Sequence, residues 1–242
     1  NRATGDGEAL EYAIKLFNSI EDHSFDAEKD GYFEAFTREW APIEDMRLSD
    51  KDANESKTMN THLHVLEAYT CLYRVWKSSL LEERLRGLIS IFEDKILGTD
   101  GHLKLFFDDD WNCNYDIFSY GHDIEASWLI HEAALVLGDP EVLERIEKIV
   151  PHIAEAASEG FTPEGGMIYE RVGEEIDRDR HWWVQAESVV GYFNLWDHFG
   201  SRKDLENALM CWDFIKASII DKENGEWFWS LRADGSINRV DD

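Results

Sequence analysis

The sequence predicts an all-α chain of paired helices joined by short hairpin-like loops, and three observations carry that prediction. Apolar residues recur three or four apart over long stretches, the period of an amphipathic helix. Gly138-Asp139-Pro140 and Gly200-Ser201 divide such stretches into pairs, with glycine suited to close one helix and proline able to open the next. A glycine-centred loop also returns along the 242 residues at nearly constant spacing.

In chain order the periodicity places helices at 6–22, 58–76, 80–97, 122–137, 141–158, 182–199 and 203–220. The second has the clearest apolar face, formed by Leu63, Leu66, Tyr69, Leu72, Tyr73 and Trp76. Four loops separate the pairs. They are Asp30-Gly31-Tyr32-Phe33-Glu34, Asp100-Gly101-His102-Leu103 running on to Phe106-Phe107, Glu164-Gly165-Gly166-Met167-Ile168-Tyr169, and Asn224-Gly225-Glu226-Trp227-Phe228-Trp229. Gly31, Gly101, Gly165 and Gly225 lie 70, 64 and 60 residues apart, a period of about 65. Glycine supplies the positive φ of a tight turn, and the aromatic residues after it alternate as in a short strand. Each repeat is thus a helical hairpin plus a loop, and stacked hairpins form either an open solenoid or a closed ring. A closed α/α toroid usually takes six hairpins. Seven helices make three and a half, so a ring would be incomplete here and an open end would leave an apolar helix face uncovered.

Composition bounds the function. With 43% apolar residues the chain is globular and not disordered. Only 4 prolines and no Gly/Ser-rich stretch leave no linker, so residues 1–242 read as a single domain. Against 51 Asp+Glu stand 24 Lys+Arg, a net charge of −27, which repels phosphate backbones and anionic lipid. No apolar run approaches the roughly 18 residues of a membrane span. Nucleic acid and membranes are therefore not expected partners. Cys71, Cys113 and Cys211 form no CxxC pattern, so neither a disulfide framework nor a structural zinc site is expected, and a reducing, cytoplasmic compartment is. The acidic stretch from Glu21 to Glu55, with 12 Asp+Glu against 4 Lys+Arg, reads as a solvated face. Nothing in the sequence signals an oligomeric state.

Three polar clusters recur in register with the repeat, each at a predicted helix start: Asn60-Thr61-His62-Leu63-His64 with Glu67, Gly121-His122-Asp123-Ile124-Glu125, and His181-Trp182-Trp183-Val184-Gln185-Ala186-Glu187. Within them Asn60 and His64, His122 and Glu125, and Trp183 and Glu187 share a helix face. One such His or Glu alone reads as a cap or a core hydrogen-bonding pair; three in register point to a site on one rim. Trp40, Trp111, Trp182, Trp183, Trp227 and Trp229 lie in loops or at helix starts, where flat rings can stack on sugars, whereas Trp76, Trp128, Trp196 and Trp212 read as core. His23, His102, His131, His152 and His198 lack in-register neighbours and read as structural or surface residues. His62 and His64 diverge on a helix, and no HExxH, EF-hand, GxGxxG or Walker spacing occurs, so no metal, nucleotide or other cofactor is expected. His, Glu and Trp in an acidic concave site suit proton transfer on a neutral polyol.

Lys57-Thr58-Met59-Asn60-Thr61-His62-Leu63-His64-Val65-Leu66-Glu67-Ala68-Tyr69, Tyr120-Gly121-His122-Asp123-Ile124-Glu125-Ala126-Ser127-Trp128 and His181-Trp182-Trp183-Val184-Gln185-Ala186-Glu187, in that order, resemble the N-acylglucosamine 2-epimerase family, on its cellobiose 2-epimerase branch. Arg47-Leu48-Ser49 upstream and Glu226-Trp227-Phe228-Trp229 downstream extend the resemblance over essentially the whole chain. It implies an (α/α)6 barrel and reversible epimerisation at C2 of the reducing-end glucose of β-1,4-linked disaccharides, cellobiose and lactose, through a cis-enediolate. His122 matches one of the family's two catalytic histidines, with Glu125 orienting it. Asn60 and His64 match residues that hold sugar hydroxyls and the enediolate. Trp183 and Glu187 match substrate-contacting positions. The family's second catalytic histidine follows the Glu-Trp-Phe-Trp loop and its substrate-binding arginine precedes the region of Asn1, so the chain is expected to be the middle of a longer epimerase. N-acetylglucosamine 2-epimerase and mannose isomerase activities are alternatives within the family, and a catalytically incomplete sugar-binding fragment is one outside catalysis. An inverting glycoside hydrolase would need two carboxylates about 6.5–9.5 Å apart. Glu125 and Glu187 could serve, but the His122 and His64 clusters would then have no task.

Overall fold

The computed structural model describes residues 1–239. All seven expected helices are present: α1 (Gly7–His23), α2 (Met59–Tyr73), α3 (Ser79–Ile91), α4 (Tyr120–Leu137), α5 (Pro140–Ala157), α6 (Trp182–Phe199) and α7 (Arg202–Phe214). The starts of α1, α2, α3, α5 and α7 are set by side-chain caps, as expected where a polar residue precedes an apolar run, whereas α6 follows His181 without one. The Thr58 hydroxyl accepts the Thr61 N–H, Ser78 that of Leu81 and Ser201 that of Asp204. Asp139 accepts the N–H groups of Glu141 and Val142, with Pro140 opening α5. Gly200, at φ 70°, closes α6.

α3 and α7 stop short of the expected 97 and 220. The chain there widens into π-turns, Phe92–Ile96 and Ile215–Ile219, closed by the Leu97 N–H on Phe92 O at 3.0 Å and the Ile220 N–H on Ile215 O at 3.1 Å. The exit from α1 uses the same five-residue reach, Phe25 N–H to Ile20 O at 3.3 Å. Apolar periodicity cannot register such a widening, because buried residues continue through it: Phe92, Ile96, Ile215 and Ile219 are all buried. α2 ends at Tyr73, before Trp76, which packs edge-on against Phe17 with centroids 5.5 Å apart.

The four loop glycines have φ between 83° and 92°. Behind three of them the loop is pinned by a single β-bridge, Phe25↔Tyr32, Phe161↔Met167 and Ile220↔Trp227. The ordered strands are short. β1 (Lys57–Thr58) pairs with β2 (Phe106–Phe107); β3 (Ile117–Ser119), β4 (Glu170–Val172) and β5 (Glu175–Asp177) form an antiparallel sheet; β6 (Arg180–His181), β7 (Ser230–Leu231) and β8 (Ile237–Asn238) form another. β1, β3 and β6 run straight into α2, α4 and α6, so each of the three polar clusters sits at a strand-to-helix junction.

Packing divides the chain into two units. The first holds 1–97, 104–115 and 132–143; the second holds 98–103, 116–131 and the residues from 144 on. In the first, α2 packs on α1 and α3 through Leu63, Leu66, Leu81, Leu85 and Phe17, all at most 2% exposed. Each such side chain contributes about 1.5–3 kcal/mol by leaving water. In the second, α6 packs along α7, and Ile215, Ile219 and Leu231 form a core joined by Val189 and Trp227. Apolar residues remain uncovered on α1 (Tyr12, Leu16), α6 (Val190, Phe193) and α7 (Leu209, Met210, Trp212). Trp212, expected in the core, is 41% exposed, because it belongs to this outward face of α7. No helix among the described residues is long and apolar enough to cross a membrane.

Candidate active site

In the second unit the β3–α4 junction carries His122 and the β6–α6 junction carries Trp183. The His122 and Trp183 rings lie against each other, centroids 4.8 Å apart and planes inclined by 49°. Gly121 makes that approach possible, since a Cβ there would stand 2.7 Å from Val184 Cγ2 and 2.8 Å from the Trp183 ring. Nδ1 of His122 is 2.7 Å from the hydroxyl of Ser119, the last residue of β3. A hydroxyl can accept from Nδ1–H or donate to bare Nδ1, so this contact serves the ring whichever nitrogen holds the proton. Glu125, one turn further along α4, is 8% exposed. Glu187 on α6 accepts the indole N–H of Trp128 on α4 at 2.9 Å. Tyr169 stacks on His181 at 4.1 Å and meets the edge of Trp183 at 6.3 Å. Of the six residues singled out in the sequence, four thus lie at the starts of α4 and α6, with Trp183 against His122 and Glu187 tied to α4.

Asn60 and His64 lie in the first unit, four residues apart on α2. Asn60 is half-buried, and His64, with its side chain 48% exposed, has Nδ1 3.2 Å from Glu67 Oε2. The start of α2 is held from several sides. The Thr58 and Thr61 hydroxyls both donate to Glu34 Oε2 at 2.5 Å, and burial pushes the Glu34 carboxyl up despite them. Lys57, fully buried, donates to Asp26 Oδ2 at 2.7 Å and to Asp109 O at 3.1 Å, beneath the Trp111 ring. His62, also fully buried, has Nδ1 2.6 Å from Thr58 O while Nε2 accepts the Tyr32 N–H at 2.9 Å, which fixes its neutral tautomer.

Burial, with the Lys57 charge adding to it, pushes the His62 imidazole down to about 4. A histidine neutral in the fold is protonated more readily unfolded, so stability is lost as pH falls from about 6.5 towards 4, by roughly 1.4 kcal/mol per pH unit. Urea unfolding at pH 7 and pH 5 is expected to show His62 costing about 2 kcal/mol at the lower pH. His62→Gln should remove that share of the difference; an equal difference in the variant would contradict the assignment.

Several contacts were not legible as functional. No spacing in the sequence marks Ser119, three residues before His122, as its partner; Trp128, whose mid-helix position predicts a core residue, reaches Glu187 with its indole. Trp111, expected as an open sugar platform, is half-buried and committed to packing within the first unit. It packs against His62 and Phe107 at 5.0 and 5.3 Å and donates its indole N–H to Lys29 O at 2.9 Å. Trp40, Trp182 and Trp229 do keep 40–45% exposure. A cleft of about 540 Å³ in the first unit, between Arg84 and Trp111, is lined by none of the six candidates. Among the described residues no three His, Cys, Asp or Glu side chains converge as they would around a metal ion.

A family model described as N-acylglucosamine 2-epimerase (GlcNAc 2-epimerase) matches residues 46–241. The chain is 63% identical over 245 residues to a cellobiose 2-epimerase of Bacteroides fragilis, covering 100% of this chain and 62% of that protein. It is 41% identical to a cellobiose 2-epimerase of Ruminococcus albus, over 96% of this chain and 60% of that one. The solved cellobiose 2-epimerase of Bacillus thermoamylovorans superposes with a TM-score of 0.92 at 40% identity, over 98% of this chain and 62% of its own. The fold class is therefore the expected one, helical hairpins of the (α/α)6 kind. The chain spans about three-fifths of the length of these relatives.

Proposed function

The chain belongs to the N-acylglucosamine 2-epimerase family, and on that premise we propose that it carries much of the active site of a sugar 2-epimerase acting on the reducing-end glucose or mannose of β-1,4-linked disaccharides such as cellobiose and lactose. The observation that carries the reading is the seat of His122, gripped at Nδ1 by Ser119 and faced by Trp183. The names of the relatives, cellobiose 2-epimerases at 63% and 41% identity, support the substrate class.

The sugar ring opens to the aldehyde, which makes the C2 proton acidic. His122 takes that proton, the electron pair moves to the carbonyl oxygen, and a cis-enediolate forms. Returning a proton to the opposite face of C2 restores the aldehyde as the epimer. An imidazole with an ordinary value near 6.5 suits both directions near neutral pH. Asn60 and His64 hold the hydroxyls and the developing oxyanion, Glu125 orients His122, Trp183 stacks on the sugar and Glu187 takes hydrogen bonds from it. Delivery to the opposite face calls for a second acid/base group, and the resemblance puts that histidine beyond Glu226-Trp227-Phe228-Trp229. No metal or cofactor enters. The free thiols of Cys71, Cys113 and Cys211 fit a reducing, cytoplasmic compartment, and the charge of −27 disfavours nucleic acid or anionic lipid as partner.

Product analysis tests the reading. The full-length protein incubated with cellobiose should yield glucosyl-mannose of unchanged mass, at the same rate with and without EDTA. Release of glucose would mean hydrolysis; turnover of N-acetylglucosamine or mannose alone would move the substrate to another part of the family. Trp183→Ala should raise the Kd for cellobiose about 10-fold, the loss of about 1–2 kcal/mol expected for a stacking ring, with the helical circular dichroism kept. Titration calorimetry giving parent-like affinity would exclude stacking there.

A further inference from the structure

The same hydrogen bond recurs in all three repeats, made by three different side chains. Nε2 of His62 accepts the N–H of Tyr32 at 2.9 Å, Oδ1 of Asp123 accepts that of Leu103 at 2.9 Å, and Oε1 of Gln185 accepts that of Met167 at 2.8 Å. Each donor lies one or two residues past its loop glycine, Gly31, Gly101 or Gly165, and each acceptor sits in the first turns of the helix bearing a candidate cluster. All three acceptor residues are 0% exposed. An imidazole, a carboxylate and a carboxamide have little in common beyond an acceptor atom, so the repeat keeps the geometry and not the residue.

Helix geometry gives that bond a consequence. Residues advance about 100° around the axis at each step, so those two before and two after a given residue fall on one face, roughly opposite it. Asn60 and His64 stand in that relation to His62, Trp183 and Glu187 to Gln185, and Glu125 to Asp123, with His122 adjacent. A side chain locked onto the loop therefore sets the rotation of its helix start and the aim of the reactive face. The middle repeat is held further: His102 Nδ1 is 2.7 Å from Asp123 Oδ2, and its ring stacks at 4.1 Å on Phe118, the residue before Ser119. Burial pulls the His102 imidazolium down, but the hydrogen bond and charge of Asp123, with Glu159 adding, more than offset it, so His102 sits above its ordinary value.

We propose that His62, Asp123 and Gln185 are equivalent positioning residues, each gripping a loop backbone so as to set the rotation of its helix start and thereby aim the sugar-handling residues that the same helix turns carry. The proposal rests on the 2-epimerase reading. Because Asp123 aims the proton-transfer group and Gln185 the sugar-contacting pair, their loss should separate kcat from KM.

Steady-state epimerisation by the full-length protein tests it. Asp123→Ala should lower kcat about 100-fold, the scale of an ångström-level misplacement, with KM within about 3-fold. Asp123→Asn, which still offers an oxygen to the Leu103 N–H, should stay within about 5-fold of the parent. Gln185→Met should raise KM at least about 5-fold with kcat within about 2-fold, and it carries the test should Asp123→Ala fail to fold. Asn as damaging as Ala at 123, or kcat and KM unmoved in the Gln185 variant, would overturn the proposal. A parent that turns over no sugar overturns the epimerase reading and the proposal with it; an active parent beside variants that match it overturns the proposal alone.

Discussion

Replacing His122 by Ala in the full-length protein is expected to abolish exchange of the sugar's C2 hydrogen with solvent, a fall of about 10³-fold or more. A positioned general base contributes about 10²–10⁴-fold, and here the same group would both remove the proton and return one in the reverse direction. The effect should fall on kcat, because Trp183, the ring proposed to stack on the sugar, remains; its neighbour Gly121 and the α4 backbone are unchanged. Ser119→Ala provides a graded companion. It removes the hydroxyl 2.7 Å from Nδ1 but leaves the imidazole, so a loss of about 10-fold is expected. Exchange retained by His122→Ala would remove His122 from the acid/base role, whatever happened to net epimerisation.

Lys57→Met should be the most destabilising single change in the first unit, by about 3–5 kcal/mol in urea unfolding of the full-length protein. Lys57 is 0% exposed and its ammonium neutralises Asp26, itself 7% exposed. Methionine fills the volume of the stem but leaves the Asp26 carboxylate buried without its cation. That carboxylate also accepts the N–H groups of Glu28 and Lys29 at 3.0 and 3.1 Å, so Asp26→Asn keeps the turn while removing the charge. Lys57→Met with Asp26→Asn is accordingly expected to recover at least half of the loss. A double variant no more stable than Lys57→Met would show that the cost came from packing under Trp111 and Phe33 instead of from the orphaned charge. Lys57 immediately precedes the Thr58 cap of α2, so a partly folded variant should also lose the aim of Asn60 and His64.

The helices were legible because period-3.6 apolar spacing reports which face is buried, as at Leu63, Leu66, Tyr69 and Leu72 on α2. The loops were legible because four glycines need a positive φ that other residues avoid. What could not be read were pairings across long stretches of chain. Lys57 with Asp26, and Trp111 with His62, depend on which loop folds over which helix, and a sequence pattern records faces, not partners. His62 and Gln185 were visible as members of their clusters, but their task was not, since His, Asp and Gln fill equivalent places and no residue type repeats. The clusters at 60–64, 122–125 and 183–187 were legible as a set only because they kept the repeat's register. Their sharing of a strand-to-helix junction emerged only from strands of two or three residues, too short to stand out in composition.

The most direct test of the central claim is proton NMR of cellobiose incubated with the full-length protein in deuterated water. Chemistry at C2 through an enediolate predicts a mannose-ended product carrying deuterium at C2, with the signal of its C2 hydrogen missing. Formation of that product with the C2 hydrogen fully retained, or release of glucose with no label at C2, would contradict proton transfer at C2 and with it the role given to His122.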